Sequence, residues 1–364
     1  MTSIYLIRHT QAEGNLYRMM QGHWDGHVTK NGLRQIDALA ERFRDVHLDA
    51  VYSSDLSRAV ETAEAVTRYN NLPIIKDSRI REINLGPWEQ EFFGNLVESE
   101  YESIKTFMFD SENWYHEGAE TFSDVKKRAY NALEDIAKRH DGQDIAVVSH
   151  GVTIRCLLSV INDAPLTDIK KCPICKNTAV AHLLYENGKF ECEYFNDISH
   201  LGKEDEYHWW KTKDIRDEII NVSDDEEYYK DCYQNAWAAA HGGDLSRFNA
   251  DSYFDAAKSH IVYKLYDAQT PVGLVELSTR CANRGYGWIC LLYIKEEFRG
   301  IGYGVQGLGR AIKLFRGMDL DSIRLHCASE NTDALKFYED YGFSIIDTES
   351  GAYGPLYLLE RRIK

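Results

Sequence analysis

The chain begins with a run of strand-forming residues, 4–7 (IYLI), that leads directly into Arg8 and His9. Two more runs with the character of buried strands, 49–52 (DAVY) and 144–148 (DIAVV), are also followed by polar residues. The segments between these runs carry apolar residues at helical spacing: 31–43, 59–66 and 124–137. Strands that alternate with helices predict an N-terminal three-layer α/β domain with a mostly parallel sheet.

The polar residues that follow these strands predict a phosphate site. Arg58 lies just after the second run, within 53–63 (SSDLSRAVETA), and His150 lies just after the third. In open α/β sheets ligands bind outside the carboxyl ends of the strands, so these side chains and those of Arg8 and His9 can share one pocket. The guanidinium fork suits phosphate oxygens. In a chain with a net charge of −16, clustered arginines are especially informative.

Phosphoryl transfer at such a site also needs a nucleophile and an acid. A neutral histidine can attack phosphorus and form a phosphohistidine, which assigns the first role to His9. A carboxyl group that is kept protonated can supply the proton for the departing alkoxide. The segment 79–91 (RIREINLGPWEQE) offers two carboxyl groups, Glu82 and Glu89.

These residues stand in a pattern that resembles the histidine phosphatase (phosphoglycerate mutase-like) superfamily. The resemblance starts at Arg8-His9-Thr10, includes Asn15, and extends over about residues 1–201. Further blocks occur in family order: 21–35 (QGHWDGHVTKNGLRQ), 53–63, 82–89 (EINLGPWE) and 148–155 (VSHGVTIR).

The resemblance implies a role for each matching residue. His9 would be the phosphorylated nucleophile, and Glu82 would be the proton donor and later the base that activates water. The phosphoryl group would be bound by Arg8, Arg58 and His150, with support from Asn15. The substrate side of the pocket would be lined by Gln21, Gly22, Gly151 and Val152. No cofactor is expected for this reaction.

The residues after Glu82 favour hydrolysis over mutase chemistry. The mutases of this superfamily follow the acid with a basic and aromatic stretch that grips a phosphoglycerate, whereas Glu82 is followed by 83–86 (INLG). We therefore expect a phosphatase that acts on a small phosphorylated metabolite. A phosphoglycerate mutase-type phosphotransferase remains the alternative.

The character of the sequence changes near residue 201, which predicts two domains, 1–203 and 204–364. Between residues 203 and 231 acidic residues outnumber basic ones, and we expect Trp209 and Trp210 to pack against neighbouring structure. An apolar helical stripe runs from Tyr229 to Ala240 and stops at Gly242-Gly243. Strand-like runs follow at 260–267, 272–279 and 288–294.

A glycine-rich segment, 295–310 (KEEFRGIGYGVQGLGR), connects the last of these runs to a helical pattern at 305–315. Its glycines free backbone N–H groups to bind an anion such as a pyrophosphate at a helix N-terminus. The segment contains Gly302-x-Gly304-x-x-Gly307, a formal dinucleotide fingerprint. A Rossmann unit would place its glycines directly after the strand, with more sheet to follow, so this interpretation is not favoured.

Arg299-x-x-Gly302-x-Gly304, together with 330–343 (ENTDALKFYEDYGF), resembles the acetyl-CoA loop and final strand–helix of GNAT-type N-acetyltransferases. The resemblance spans about residues 225–364. It implies an α+β domain with a mixed, mostly antiparallel sheet, acetyl-CoA as cofactor and an amine acceptor. Tyr338 would protonate the departing CoA thiolate. The cofactor would be bound by Tyr293, Ile294, Arg299, Gly300, Ile301, Gly302, Tyr303, Gly304 and Asn331.

The general base of this domain is not evident from the sequence, and Glu276 on the preceding strand is the candidate. A non-catalytic module that binds acetyl-CoA and regulates the phosphatase is therefore the alternative to a second enzyme. If both domains are catalytic, the chain is bifunctional. In that case we expect its two reactions, phosphate removal and acetylation, to act on compounds of one phospho-amine pathway.

Composition excludes several other classes of function. The net charge of −16 argues against nucleic acid or an anionic membrane as partner, and no apolar run is long enough to span a bilayer. The eight scattered cysteines are typical of reduced thiols, so a cytoplasmic protein is expected. Cys172-Pro-Ile-Cys175 lacks a second ligand pair, and no metal is predicted. The oligomeric state stays open, a homodimer included.

Overall fold

The computed structural model describes residues 1–168, 170–203, 205, 213–351 and 354–364. The chain forms two compact units, of which the first comprises residues 1–92 and 96–209 and the second residues 93–95 and 210–364. Glu204, at the predicted domain boundary, and the pair Trp209-Trp210 lie outside the described residues. The predicted boundary between residues 203 and 204 therefore stays a prediction.

The first unit is built on a six-stranded sheet with the order β3-β2-β4-β1-β5-β6. Strands β1 to β4 are mutually parallel, and β5 and β6 add an antiparallel edge. The mostly parallel sheet predicted from the sequence is confirmed. The strands are β1 (Thr2–Arg8), β2 (Ala50–Ser53), β3 (Ile74–Lys76), β4 (Asp144–Ser149), β5 (Val180–Glu186) and β6 (Lys189–Asp197).

Helices cover both faces of this sheet, which gives the predicted three layers. On one face apolar side chains of α6 and α7, including Leu133 and Leu157, pack against the strands. On the other face α2 and α3 contribute residues such as Leu39, Phe43 and Val66. The helices are α1 (Glu13–Tyr17), α2 (Lys30–Phe43), α3 (Ser57–Thr67), α4 (Phe93–Ser99), α5 (Tyr101–Phe109), α6 (Phe122–Arg139) and α7 (Gly151–Ile161).

Parallel pairing brings the carboxyl ends of β1, β2 and β4 to one edge of the first sheet. Arg8, the last residue of β1, is in register with Ser149, the last residue of β4. Ser53 ends β2 beside Val148 of β4. The residues that follow these strands, His9 and His150 among them, therefore start from neighbouring positions.

The second unit has a seven-stranded sheet with the order β12-β13-β11-β10-β9-β8-β7. Among its described strands only β10 and β11 pair in parallel, so the predicted mixed, mostly antiparallel sheet is confirmed. Its strands are β7 (Arg216–Ile220), β8 (Ile261–Asp267), β9 (Thr270–Ser278), β10 (Tyr286–Ile294), β11 (Ser322–Ala328), β12 (Ser344–Gly351) and β13 (Gly354–Arg362). Its helices are α8 (Glu226–Ala240), α9 (Ala250–Ala257), α10 (Tyr303–Gly317) and α11 (Thr332–Asp340).

Strands β10 and β11 separate part-way along their length. They are paired only over Tyr286–Trp288 and Ser322–Arg324. From Ile289 to Ile294, β10 pairs with β9 alone, and a register shift between Ile289 and Leu291 bends it. The two strands thus splay apart toward the glycine-rich segment, which leaves β10 backbone groups available to an extended ligand.

All eight cysteines are free thiols in the structure. Among the described residues, no helix combines the length and the apolar composition that crossing a bilayer requires.

Candidate active sites

His9 stands at the carboxyl end of β1 with its side chain 2% exposed. Its backbone N–H donates to the Ser149 carbonyl at 2.9 Å, which ties it to β4. Its Nδ1 contacts the Thr10 carbonyl at 2.6 Å. Because a carbonyl oxygen only accepts, Nδ1 must carry the proton and Nε2 the lone pair. Burial and the Arg58 and Arg8 guanidinium groups hold the pKa of His9 well below its usual range, so the imidazole is neutral.

Four buried nitrogen atoms around His9 have no hydrogen-bond partner among the described residues. They are Arg8 Nε, Arg58 Nε and both ring nitrogens of His150. The rings of His9 and His150 lie 5.0 Å apart. Buried polar groups are nearly always paired, so orphaned nitrogens on three residues that lie near one another, two arginine N–H donors among them, favour an anionic ligand at this position.

Arg58 is fully buried, and two backbone carbonyls hold its guanidinium group in position. Its Nη1 donates to the Trp24 carbonyl at 2.9 Å and its Nη2 to the Gly22 carbonyl at 2.8 Å. Burial lowers the pKa of Arg58 to about 10, while Glu82 and then Asp25 oppose the shift. The side chain therefore keeps its charge at neutral pH and offers Nε to a ligand.

Glu82 is held at the N-terminus of α7. Its carboxyl oxygens accept hydrogen bonds from the Val152 N–H at 3.1 Å and from the Thr153 N–H at 3.0 Å. The carbonyl of Glu82 accepts from Arg128 at 2.8 Å and from His23 at 2.9 Å. Backbone and side chain are thus both fixed next to His150, the N-cap of α7.

Glu89 is occupied by the chain around it. Its Oε1 accepts from the His23 N–H at 2.7 Å and from the Leu85 N–H at 3.2 Å. A Cβ on Gly22 would come within 2.4 Å of the same oxygen, and Gly22 itself has a φ of +51°. Glu89 therefore holds the turn at Gly22. Because the Gly22 carbonyl accepts a hydrogen bond from Arg58, Glu89 contacts the site only indirectly, through that turn.

In the second unit, the glycine-rich segment connects β10 to α10. Gly300 and Gly302 have φ values of +76° and +89°, a conformation that favours glycine, and Gly302 is the N-cap of α10. Arg299 Nε donates to the Ile294 carbonyl at 2.9 Å, which fixes the start of the turn. A Cβ on Gly304 would lie 3.2 Å from the Phe337 ring.

The predicted side chains of α11 are mostly packed. Tyr338 is 8% exposed and its ring contacts Phe337 and Phe343. Burial raises the pKa of Tyr338, so its hydroxyl keeps the proton at neutral pH. Asn331 is the N-cap of α11, with Oδ1 accepting from the Ala334 N–H at 3.2 Å.

A cavity of about 530 Å³ opens near the separated end of β11. Two aromatic residues, Trp237 and Tyr253, form part of its wall, together with Arg247 and His241. Glu330, directly before Asn331, is the only carboxylate among its described lining residues. Its walls come from α8, α9, the end of β11 and the β12–β13 turn.

Comparison with known proteins decides the assignment of the first unit. The model of the histidine phosphatase superfamily (branch 1) matches residues 4–198. The chain belongs to the histidine phosphatase superfamily. Phosphoserine phosphatase 1 of Hydrogenobacter thermophilus is 29% identical over 203 residues, which are 56% of this chain and 96% of that protein.

Two further similar proteins match the same part of the chain. The probable phosphoglycerate mutase GpmB of an Enterobacter species is 29% identical over 206 residues, 55% of this chain and 95% of that protein. The solved structure of YhfR from Bacillus stearothermophilus has 33% sequence identity and a TM-score of 0.53. It covers 55% of this chain and 99% of its own.

The second unit matches a different family model. The model of the acetyltransferase (GNAT) family matches residues 223–343. Both resemblances predicted from the sequence are therefore confirmed: one chain carries a histidine phosphatase domain and a domain that matches the GNAT family. From here on the two units are called the phosphatase domain and the acetyltransferase domain.

The phosphatase domain brings the predicted substrate-side residues close to the predicted catalytic ones. A Cβ on Gly151 would lie 3.3 Å from Arg8 Nε, so Gly151 leaves the room that the guanidinium group occupies. Val152 contributes its N–H to Glu82. Gln21 Oε1 is buried and has no partner among the described residues.

Asn15 has a local structural role, and its predicted support of the phosphoryl group stays a prediction. Its Oδ1 accepts from the Ala12 N–H at 3.0 Å and lies 3.4 Å from Asn177 Nδ2. Asn177 Nδ2 also donates to the His9 carbonyl at 3.0 Å. Asn15 thus caps α1 and is linked to the backbone of His9.

The sequence did not reveal the residues that hold the catalytic groups. Asn177 and Thr153 act on His9 and Glu82, and Thr62 Oγ1 accepts from the Thr10 N–H at 2.9 Å. These residues lie far from their partners along the chain and carry common side chains, so no motif marks them. The one available signal is the position of Thr153 three residues after His150, which places it in the first turn of α7.

In the acetyltransferase domain, the candidate base Glu276 is placed differently from expectation. It is 2% exposed and does not line the cavity. Its Oε1 contacts His260 Nδ1 at 2.6 Å, and its Oε2 accepts from the Tyr229 hydroxyl at 2.8 Å. Tyr303 also has a packing role: it is buried and its hydroxyl donates to Asp267 at 2.6 Å.

Proposed function

We propose that the phosphatase domain hydrolyses small phosphomonoesters through a phosphohistidine at His9. The observation that carries this proposal is the group of four orphaned, buried nitrogens of Arg8, Arg58 and His150 next to a neutral His9. These donors suit the oxygens of a phosphoryl group, and the N-terminus of α7 adds positive potential from the same side.

In the first step His9 Nε2 attacks the phosphorus atom and the bond from phosphorus to the ester oxygen breaks. Glu82 gives its proton to the departing alkoxide, so the alcohol leaves in neutral form. Arg8 and Arg58 stabilise the charge that spreads over the phosphoryl oxygens. His9 can attack without first losing a proton because its pKa is lowered.

In the second step water attacks the phosphohistidine. Glu82, now a carboxylate, takes a proton from the water molecule, and the bond between phosphorus and His9 Nε2 breaks. Inorganic phosphate leaves and Glu82 is again protonated. The Val152 and Thr153 amides keep the carboxyl group in place through both steps.

Hydrolysis is favoured over mutase chemistry by the packing of the segment after Glu82. Ile83 and Leu85 are buried in the core, and Asn84 Oδ1 accepts from the Gly86 N–H at 2.8 Å. This segment therefore presents no cation to a second charged group of a substrate. The similar phosphoserine phosphatase makes phosphorylated amino acids the first substrates to test.

We further propose that the acetyltransferase domain binds acetyl-CoA and acetylates an amine. Acetyl-CoA would supply the acetyl group. The chain fits such a ligand: the Gly300 and Gly302 turn at the N-terminus of α10 suits a pyrophosphate, and the separated β10 edge at Tyr293 and Ile294 suits an extended arm. Tyr338 holds a proton that a thiolate leaving group would need.

The cavity beside β11 is our candidate acceptor site. Glu330 replaces Glu276 as the candidate base, because it lines this cavity whereas Glu276 is buried behind Tyr229. Because the buried Glu276 is not available as a general base, its position also favours the second candidate function, a regulatory module that binds acetyl-CoA without turnover. The two candidates differ in whether free CoA is released in the presence of an amine.

The role of Glu82 can be tested with leaving groups of different basicity. Glu82→Gln should slow hydrolysis by about 10²-fold or more with an alkyl phosphate and much less with 4-nitrophenyl phosphate, because nitrophenolate needs no proton to leave. Glu89→Gln is the matched control and should show no such dependence. An equal loss for both substrates in Glu82→Gln would assign that residue to binding, and a leaving-group effect in Glu89→Gln would exchange the two roles.

A further inference from the structure

Three side chains with metal-ligating atoms meet beneath α8 in the acetyltransferase domain. His260 directly precedes β8, Glu276 lies on β9 and Cys290 lies on β10. His260 Nδ1 is 2.6 Å from Glu276 Oε1 and 3.7 Å from Cys290 Sγ. The three ligand atoms all lie within 4.8 Å of one another. In the part of the chain that the structure describes, this is the only such group of three.

The sheet places these residues together although they are far apart in sequence. Glu276 is in register with Val262 on β8 and with Leu291 on β10, so β8, β9 and β10 are adjacent at this point. Cys290 lies inside the register shift of β10, between Ile289 and Leu291. A bulge of this kind redirects a side chain, and here it brings the Cys290 thiol to the face that carries Glu276.

We propose that His260, Glu276 and Cys290 bind a zinc ion, with a fourth coordination position open to water. One nitrogen, one oxygen and one sulfur ligand are the set that this borderline-soft cation accepts, and three protein ligands are typical of an open site. Usual zinc–ligand lengths at tetrahedral angles put a sulfur and a nitrogen ligand about 3.6 Å apart. The observed separation of Cys290 Sγ and His260 Nδ1 is 3.7 Å.

The contact between His260 and Glu276 shows what zinc would replace. In the metal-free pair a proton lies between Nδ1 and Oε1, which are 2.6 Å apart. A nitrogen and an oxygen that both bind one tetrahedral zinc ion would be about 3.3 Å apart. A movement of less than about 1 Å therefore converts the hydrogen-bonded pair into two ligands. When the ion binds, the Cys290 thiol gives its proton to solvent, and His260 coordinates through Nδ1 with its remaining proton on Nε2.

The surroundings orient the ligands. The Tyr229 hydroxyl donates to Glu276 Oε2 at 2.8 Å and lies 3.3 Å from the Tyr253 carbonyl, so the carboxylate is held by a group outside the site. Leu274 and Leu291, on the same strands as Glu276 and Cys290, belong to the apolar core that also contains Tyr229. Zinc there would link three neighbouring strands and stabilise the acetyltransferase domain, more so as the free zinc concentration rises above its Kd.

The test uses the full chain after removal of metal with a chelator. Zinc titration by calorimetry should show that Cys290→Ser binds one equivalent fewer than the wild type, or binds that equivalent at least about 100-fold more weakly. Cobalt added in place of zinc should give a thiolate-to-cobalt charge-transfer band that Cys290→Ser loses. Cys281→Ser and Cys172→Ser are the matched controls and should keep both signals.

Two results would overturn the proposal. One is identical zinc binding by the wild type and Cys290→Ser. The other is a wild-type cobalt spectrum without a thiolate band, which would leave His260 and Glu276 as a metal-free hydrogen-bonded pair. His260→Gln is the second variant and should lose the same equivalent. The circular dichroism spectrum and phosphate release verify that each variant is folded.

Discussion

The anion sites that we propose for the two domains are built in different ways. The phosphatase domain uses side chains: Arg8, Arg58 and His150 each present buried nitrogens that have no partner among the described residues. The acetyltransferase domain uses the backbone, with a left-handed turn at Gly300 and Gly302 and a strand that has separated from its neighbour. The first proposed site is built from side-chain nitrogens, and the second from the conformation of the backbone.

The two proposed sites should therefore be sensitive to different kinds of substitution. Fixed charges in a buried site depend on the chemical identity of a few residues, so one substitution can remove function and leave the fold intact. A site made of backbone N–H groups tolerates many side chains and fails when the conformation changes. The predictions below separate these two kinds of failure.

The largest effect is expected at the nucleophile. His9→Ala should lower phosphatase turnover by on the order of 10⁴-fold and abolish the phosphoenzyme, because the substitution removes the Nε2 lone pair that attacks phosphorus. Rapid acid-free quenching followed by mass spectrometry detects the phosphohistidine. His47→Ala, a change at an exposed histidine, is the control. A phosphoenzyme that persists in His9→Ala would give the nucleophile to another residue.

A backbone change should break the acetyltransferase domain more mildly. Gly302→Ala places a side chain on a residue with a φ of +89°, which costs about 1–2 kcal/mol. If the turn changes conformation to relieve this strain, acetyl-CoA should bind about tenfold more weakly. Calorimetric titration with acetyl-CoA measures this change in Kd. Gly317→Ala, at the other end of α10 with open space around the added Cβ, should bind normally. Unchanged binding by Gly302→Ala would exclude the turn from the site.

The smallest effect concerns stability and pH. Burial and Arg58 lower the pKa of His150 well below 6.5, so below about pH 6.5 the unfolded chain binds a proton that the folded chain does not. Stability is therefore lost as the pH falls below about 6.5. His150→Asn should remove about 1.4 kcal/mol of the loss between about pH 7.5 and pH 5.5, as measured by urea unfolding. Equal losses in both proteins would mean that His150 is protonated in the fold.

The residues proposed for the phosphatase site were easier to recognise in the sequence than those proposed for the acetyltransferase site, because the proposed chemistry of the first lies in side chains. Charged residues at strand ends are visible along the chain, so Arg8, His9, Arg58 and His150 could be assigned to one edge of a sheet from the sequence alone. Local periodicity also predicted the helices α2, α3 and α6. Supporting residues such as Asn177 could not be found, because their role arises from contacts distant in sequence.

Backbone-built features are harder to predict. The separation of β10 from β11 follows from sheet register and has no signature in the residues themselves. Strands β5, β6, β7, β12 and β13 were not predicted either; β12, for example, is exposed along most of its length and lacks the apolar alternation of a half-buried strand. The cluster of His260, Glu276 and Cys290 escaped notice because its members come from three strands, and Glu276 was assigned instead to a catalytic role.

One measurement tests the central claim that both domains catalyse reactions. Inorganic phosphate and free CoA are followed together by mass spectrometry over a panel of phosphorylated amines and their dephosphorylated forms, with acetyl-CoA present. We expect both releases on compounds of one carbon skeleton. Phosphate release should be lost in His9→Ala, and CoA release should fall about 10²-fold in Tyr338→Phe. Release of phosphate with acetyl-CoA bound but never consumed, over the whole panel, would contradict it.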